Sequence, residues 1–244
     1  MESAHRARLL LLVLLSAGAS VAAQDPVALD PKIVKVEFEN SDVRVLRAHL
    51  EPGESLATHS HPPRLSIFLR DAVARTTFPD KTSAEVHATA GKVIWRKAET
   101  HSVQNIGDTV LENIELEFKK AAAPAIRVTQ PPTSAGSAAT KEPVPVHWEP
   151  HHHLVLENQY VRVLDVVLAP GESTAFHTHS NDNFAVRLGE ALGQRQNMGE
   201  EWAPPSQVKN GEVSFTDGAK KPYTHRVKNV GKTTFHVIDV EILR

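Results

Sequence analysis

The chain has 244 residues, of which 41% are hydrophobic and 23% charged, with 27 Lys and Arg against 29 Asp and Glu and no cysteine. Charge this close to balance, with both signs interspersed, offers no basic footprint for nucleic acid and no polybasic stretch for a membrane surface. Without cysteine there are no disulfides, no thiolate metal sites and no cysteine nucleophile, so the fold must be held by its core.

Residues 1–23 read as an export signal. Arg6 and Arg8 precede the apolar run 9–15, and small residues lead to Val21-Ala22-Ala23. The run is too short to cross a bilayer, and no cysteine follows to carry a lipid anchor. Cleavage after Ala23 would leave Gln24 at the front of a periplasmic or secreted protein with no membrane attachment.

Residues 24–120 have a β texture and are expected to form the first domain. Stretches 33–38, 43–50, 66–69, 84–88, 92–95 and 111–118 read as strands, broken at Pro52-Gly53, Pro79-Asp80, Gly91 and Gly107-Asp108. Residues 121–146, rich in Ala, Pro, Ser and Thr, read as an interdomain linker. Residues 147–244 repeat the β pattern, with strands expected at 154–156, 161–168, 184–188, 212–215 and 233–242. Residues 216–223 read as a loop elaboration, 189–205 as a segment without a close counterpart, and Trp202 as a plug at the barrel end. Short, evenly spaced strands with almost no helical period define an all-β barrel or sandwich.

The two halves are copies. Residues 50–61 read LEPGESLATHSH and residues 168–179 read LAPGESTAFHTH, and the same displacement of 118 positions also superposes Val43-Arg44-Val45-Leu46 on Val161-Arg162-Val163-Leu164. Each copy carries a His-x-His pair, His59 and His61 or His177 and His179, whose members share one face of a strand. A third histidine follows in matching context, His101 in HSVQNIGDT and His225 in HRVKNVGKT. Two imidazoles from one strand and one from a distant strand make a facial three-nitrogen site.

PGES, then His-x-His, then a glycine, then His-x-x-x-Asn resembles the two motifs of the cupin superfamily, here duplicated as a bicupin over nearly all of residues 24–244. The resemblance implies two tandem jelly-roll-type β-barrels, each with a metal or small molecule in its mouth. In metal-binding cupins the motifs supply three histidines and a glutamate. By position the histidines are His59, His61 and His101 in one barrel and His177, His179 and His225 in the other. The glutamate is missing: its positions fall on Leu65 or Ser66 and on Asn183 or Phe184. Cupin thiol dioxygenases are similar in using three histidines, whereas oxalate decarboxylases and quercetin dioxygenases normally add the glutamate.

The expected cofactor is a divalent transition metal, and imidazole accepts iron, manganese, nickel, copper and zinc alike. The expected activity is that of a metal-dependent, dioxygenase-like oxidoreductase on a small anionic or hydroxylated metabolite. The alternatives are a non-catalytic module for a small ligand or metal and a cupin of the sugar isomerase or epimerase type. No general acid or base is assigned. The second barrel, with Asn181–Asn183 nearby and longer loops, is the expected working site, and the first the drier one.

Around the histidines, Asn183 reads as orienting a ligand or substrate, and Asp182 as a solvated turn residue. His147 and His151–His153 read as a surface or domain-interface strand on which His152 opposes its two neighbours. Arg44 and Arg162 read as supports of the barrel. Ser55 and Ser173 are expected to lie away from the histidines, and His49, His87 and His236 are given structural roles.

Overall fold

The structure is a computed structural model that describes residues 24–120 and 142–243. The expected export signal, 1–23, and linker residues 121–141 lie outside the described residues.

The first half opens with a single helical turn, α1 (Pro26–Leu29), whose first N–H groups are capped by the Asp25 carboxylate. Nine strands follow: β1 (Val34–Glu39), β2 (Val43–Leu50), β3 (Ser55–His61), β4 (Arg64–Phe68), β5 (Ala72–Thr77), β6 (Ser83–Ala88), β7 (Val93–Arg96), β8 (Glu99–Asn105) and β9 (Leu111–Phe118). They form a five-stranded sheet ordered β1-β2-β9-β4-β7 and a four-stranded sheet ordered β3-β8-β5-β6.

The second half begins with β10 (Val144–Pro145) and one 3-10 turn (Val146–Trp148). Then come β11 (His152–Glu157), β12 (Val161–Leu168), β13 (His177–His179), β14 (Asn183–Leu188), β15 (Ala191–Asn197), β16 (Ser206–Val208), β17 (Val213–Thr216), β18 (Tyr223–Asn229) and β19 (Phe235–Ile242). Its sheets, β11-β12-β19-β14-β17 and β10-β13-β18-β15-β16, repeat the strand order of the first half. β10 pairs in parallel with the histidine strand β13, and Val146 is buried, so the last residues of the expected linker are built into the second barrel.

The topology corrects one reading of the sequence. Residues 189–205 do have a counterpart: β15 takes the place of β5, and β16 that of β6. The segment ALGQRQN lacks apolar alternation because its partners β16 and β18 satisfy its backbone while little of it is buried. Trp202 does not plug the barrel. Its ring covers the Arg226 guanidinium at 4.7 Å, with Phe176 on the same guanidinium at 4.6 Å.

The sheets β1-β2-β9-β4-β7 and β11-β12-β19-β14-β17 bury both faces of their central strands, which is why β4 (RLSIF) shows no exposed residue. One face lines its own barrel. The other packs against the matching sheet of the second half in one apolar cluster that joins Val45, Leu65, Ile67, Ile114 and Leu116 to Val163, Phe184, Val186 and Val240. Phe38 sits on Phe184 and Phe215, and Tyr160 sits on Trp95 and Phe118, so each half lends an aromatic ring to the other. The hydrogen-bonded clasp from the Arg47 guanidinium to Gly211 O also crosses between the halves.

Candidate metal centres

Both triads assemble as their spacing implies. His59 pairs with His101 across β3 and β8, and His177 with His225 across β13 and β18. In each triad one ligand atom from every histidine lies within 4.8 Å of the others. A bulge between Leu56 and His59 adds one residue to β3, so that Leu56 and His59 both face inward and the His-x-His pair keeps its aim at the barrel axis.

The opposite ring nitrogens set the tautomers. In the first barrel His59 Nδ1 donates to Ala57 O at 2.7 Å and His61 Nδ1 donates to Glu117 Oε1 at 2.6 Å. His101 Nδ1 lies 3.3 Å from Glu99 Oε1, close but not aligned as a hydrogen bond. A proton on Nδ1 leaves the Nε2 lone pair for the site, the arrangement in which an acceptor behind the ring fixes its orientation and raises its basicity as a ligand. Glu117 is itself gripped by Arg44, which also reaches Asp25, and Arg162 holds Glu241 and Glu157 in the second barrel. The two arginines therefore act as barrel supports.

The second triad is held more loosely. His177 Nδ1 donates to Ala175 O at 3.0 Å, whereas His179 Nδ1 and His225 Nδ1 have no hydrogen-bond partner. Tyr223 stacks on His179 with centroids 4.8 Å apart, and its hydroxyl donates to Asn183 Oδ1 at 3.0 Å. The Asn183 amide in turn donates to Asp239 Oδ1 at 2.7 Å, so Asn183 orients its neighbours. Asp182 is not a solvated turn residue. It is 2% exposed, and its carboxylate accepts from Ala219 N, which ties down loop 217–220. Gly218 is required there, because a Cβ would meet Asn181 O at 2.2 Å.

Each barrel also contains a carboxylate that sequence reasoning missed. The inward-facing position of the absent glutamate is Ser66 in one half, as expected, but Ala185 in the other rather than Asn183 or Phe184, because Asn183 takes the ladder place of Arg64. The residue directly across the ladder from Ser66 is Glu115, and from Ala185 it is Asp239. The two differ in charge state. Burial raises the Glu115 carboxyl, but Arg64 and then the triad imidazoles outweigh it and hold the group well below the usual range. Asp239 lacks such an arginine and is pushed up to about 7 by burial and then by the charge of Glu241.

His152 is the other missed residue. It does oppose His151 and His153, but this puts it inside the barrel. Its ring lies 4.5 Å from that of His177, and its Nδ1 donates at 2.6 Å to Glu149, a fully buried carboxylate. Val34 holds the matching strand position in the first half, four places earlier than Phe38. His147 bonds Arg162, His236 bonds Asp165, and His49 and His87 are exposed.

The surroundings then diverge. Around the first triad a cavity of about 60 Å³ is lined by Arg64, Arg96, Glu115 and apolar residues. Around the second a cavity of about 310 Å³ is lined by His152, Arg187, Arg195, Tyr223 and Asp239 together with Val166, Val208 and Phe235. The first site is thus the smaller, and it is not the dry one expected, since Arg64, Arg96 and Glu115 line it. Leu65 faces away from it into the inter-barrel core. Ser55 and Ser173 make no contact with either triad.

The donor sets suit a divalent transition ion: three buried imidazoles in each barrel, with the second nitrogens of His59, His61 and His177 anchored by hydrogen bonds. Burial, followed by the neighbouring rings, lowers His59 to about 4, while burial and then His152 lower His177 to about 3. Burial also lowers His101, His179 and His225. A histidine with a depressed folded pKa contributes stability above its unfolded value of 6.5 that is lost as pH falls through the folded value. Metal-free protein is therefore expected to lose thermal stability steeply between about pH 6.5 and pH 4. Melting curves across that range check this, and a flat profile would show that the imidazoles are solvated.

No family model and no curated protein sequence matches the chain. Solved structures do. AerE from Microcystis aeruginosa superposes with a TM-score of 0.61 at 14% identity, covering 91% of this chain and 98% of that one. A cupin 2 conserved barrel domain protein from Leptotrichia buccalis gives 0.51 at 12% identity, covering 86% and 88%. Salicylate 1,2-dioxygenase from Pseudaminobacter salicylatoxidans gives 0.51 at 12% identity, covering 82% and 71%. The likeness is one of fold. The chain therefore has the fold of two cupin-type barrels in tandem, and each barrel carries a histidine triad able to bind a metal ion.

Proposed function

We propose that the protein is a metal-dependent oxidative enzyme of dioxygenase type, with its reaction site in the second barrel and a small anionic or hydroxylated metabolite as substrate. The observation that carries this is the asymmetry of the cavities. Space of about 310 Å³ beside the second triad falls in the range of small-molecule sites, while about 60 Å³ beside the first does not. Charged side chains in the wall favour catalysis over passive binding. A salicylate 1,2-dioxygenase among the structural neighbours acts on a small hydroxylated anion, the class proposed here.

A bound divalent ion would be held by His177, His179 and His225 and would supply Lewis acidity, with redox capacity if it is iron or copper. The chain's own residues do the rest. Arg187 and Arg195 present positive charge to an anionic substrate, and Val166, Val208, Val227 and Phe235 form an apolar wall for its carbon skeleton. Tyr223, Asn183 and Asp239 form a hydrogen-bonded row that keeps the floor rigid. His152, braced by Glu149, points a ring into the same space. In a dioxygenation both oxygen atoms enter the product and the substrate supplies the electrons, so no further reductant is needed. We further propose, from residues 1–23, that the reaction takes place outside the cytoplasm.

The test uses untagged protein beginning at Gln24, reconstituted anaerobically with each candidate metal. Oxygen uptake is then followed with a panel of small hydroxylated acids. Uptake of one dioxygen per substrate consumed supports the reading. Substrate-induced thermal stabilisation without oxygen uptake under any metal would replace it with the non-catalytic binding reading.

A further inference from the structure

The first barrel holds a buried arginine that is only partly satisfied. Arg64 is 3% exposed and lines the small cavity beside His59, His61 and His101. One of its terminal nitrogens, Nη2, donates to Glu99 Oε1 at 2.9 Å. Its Nε lies 3.2 Å from Glu115 Oε2 without the alignment of a hydrogen bond, and its Nη1 is buried with no partner at all. A guanidinium nitrogen left unpaired in the interior is costly, because the charge has been taken out of water and one of its donors is unused.

A second arginine compounds this. Arg96 stands directly across the ladder from Arg64 and lines the same cavity, and among the described residues it makes no ion pair or hydrogen bond. Like charges in facing positions repel. Glu99 and Glu115 offset the two arginines, so a divalent ion on the triad would leave the pocket with an excess of two positive charges. The second barrel shows that the fold does not demand this arrangement. Asn183 replaces Arg64 at the ladder position opposite Glu241, as Arg64 stands opposite Glu117, and Thr216 replaces Arg96.

We infer that the first barrel is a binding site for a small planar anion, of the size of formate or bicarbonate, seated between Arg64 Nη1 and a cation held by the first triad. The volume sets the class. About 60 Å³ beside the first triad, against about 310 Å³ beside the second, favours an anion of a few heavy atoms over an aromatic acid. A guanidinium edge recognises such an anion by charge-assisted hydrogen bonds in its plane. Leu50, Leu56, Phe68 and Leu111 in the walls lower the polarity around the pair.

The inference rests on the first triad taking a metal but not on the reaction proposed for the second barrel. Its test uses the protein with His177→Ala and His179→Ala, so that only the first site is loaded, substituted with cobalt(II) as a chromophore. Cobalt content is measured first, and azide is then titrated while the visible cobalt spectrum is followed. Azide is expected to change the spectrum to saturation, formate to compete with it, and benzoate to have no effect. Arg64→Met should weaken azide binding at least about tenfold, and Arg64→Lys, which keeps a cation beside Glu99 and Glu115 should the methionine variant not fold, by a smaller factor. Absence of cobalt from the first barrel would overturn the metal reading and the anion site together. Bound cobalt with no response to azide, equal azide affinity in the arginine variants, or benzoate binding as tightly as azide would overturn the anion site alone.

Discussion

Alanine at both His177 and His179 is expected to reduce turnover to the uncatalysed background and to lower bound metal from two ions per chain to one. The pair supplies two of three nitrogens in the second triad, and one remaining imidazole cannot hold a divalent ion against water. Alanine at His59 and His61 should also remove one ion, but with a smaller cost to turnover, within the roughly 10–100-fold range seen when the surroundings of a metal site are disturbed. Rates per mole of protein and elemental analysis on the same samples decide the matter. If the first-barrel pair costs more, the reaction belongs to the small, charged cavity and the substrate must be far smaller than the one proposed.

The difference between the two cavities was legible only in outline in the sequence. The histidines announced themselves because a strand forces residues two apart onto one face, and because the motif occurs twice in register. The carboxylates did not. Glu117 meets His61 from a strand 56 positions away, and Glu115 reaches the pocket from the same strand. A signal was present: β9 reads LENIELEF and β19 FHVIDVEI, with Glu115 and Glu117 matching Asp239 and Glu241 in alternation with the buried apolar residues Ile114, Leu116 and Phe118 and Ile238, Val240 and Ile242. Acidic side chains recurring at alternate positions of a doubly buried strand must face a polar interior, here the barrel lumen.

His152 was misjudged for a related reason. Its alternation with His151 and His153 was read correctly, but the side that looked like the exception is the one that faces the metal pocket. What sequence lacked was Glu149, which caps the turn before β11 and fixes the ring through Nδ1. Arg64 was invisible as a site residue because the alternation from His61 could not be carried through the turn at Pro62-Pro63 to show that Arg64 shares the inward face with Ser66. Strands β5 and β15 were missed because their faces are mixed. AVARTT and ALGQRQN are held by ladder bonds on both sides, so their backbone needs no long apolar face of their own.

Phe184→Ala is expected to lower the stability of the whole molecule by about 3–5 kcal/mol, the cost typical of deleting a buried phenylalanine ring. The residue is completely buried, yet it faces neither cavity. Its ring meets Phe38 of the first half edge-on at 5.3 Å and Phe215 of its own half at 5.0 Å, in the centre of the sheet-to-sheet cluster. Neighbouring side chains Leu65, Leu116 and Val240 come from three other strands, so the void cannot close by moving one of them. Because the cluster is shared, the loss should appear in both halves: Trp95, in the first half but packed on Tyr160 of the second, should report the same shifted midpoint as far-ultraviolet circular dichroism. Metal content should stay at two ions per chain, since the triad histidines lie on the other sheet of each barrel, on β3 and β8 and on β13 and β18. A loss under about 1 kcal/mol, or a shift confined to one of two separate transitions, would show that the barrels fold as independent units and that the face between them contributes little in solution.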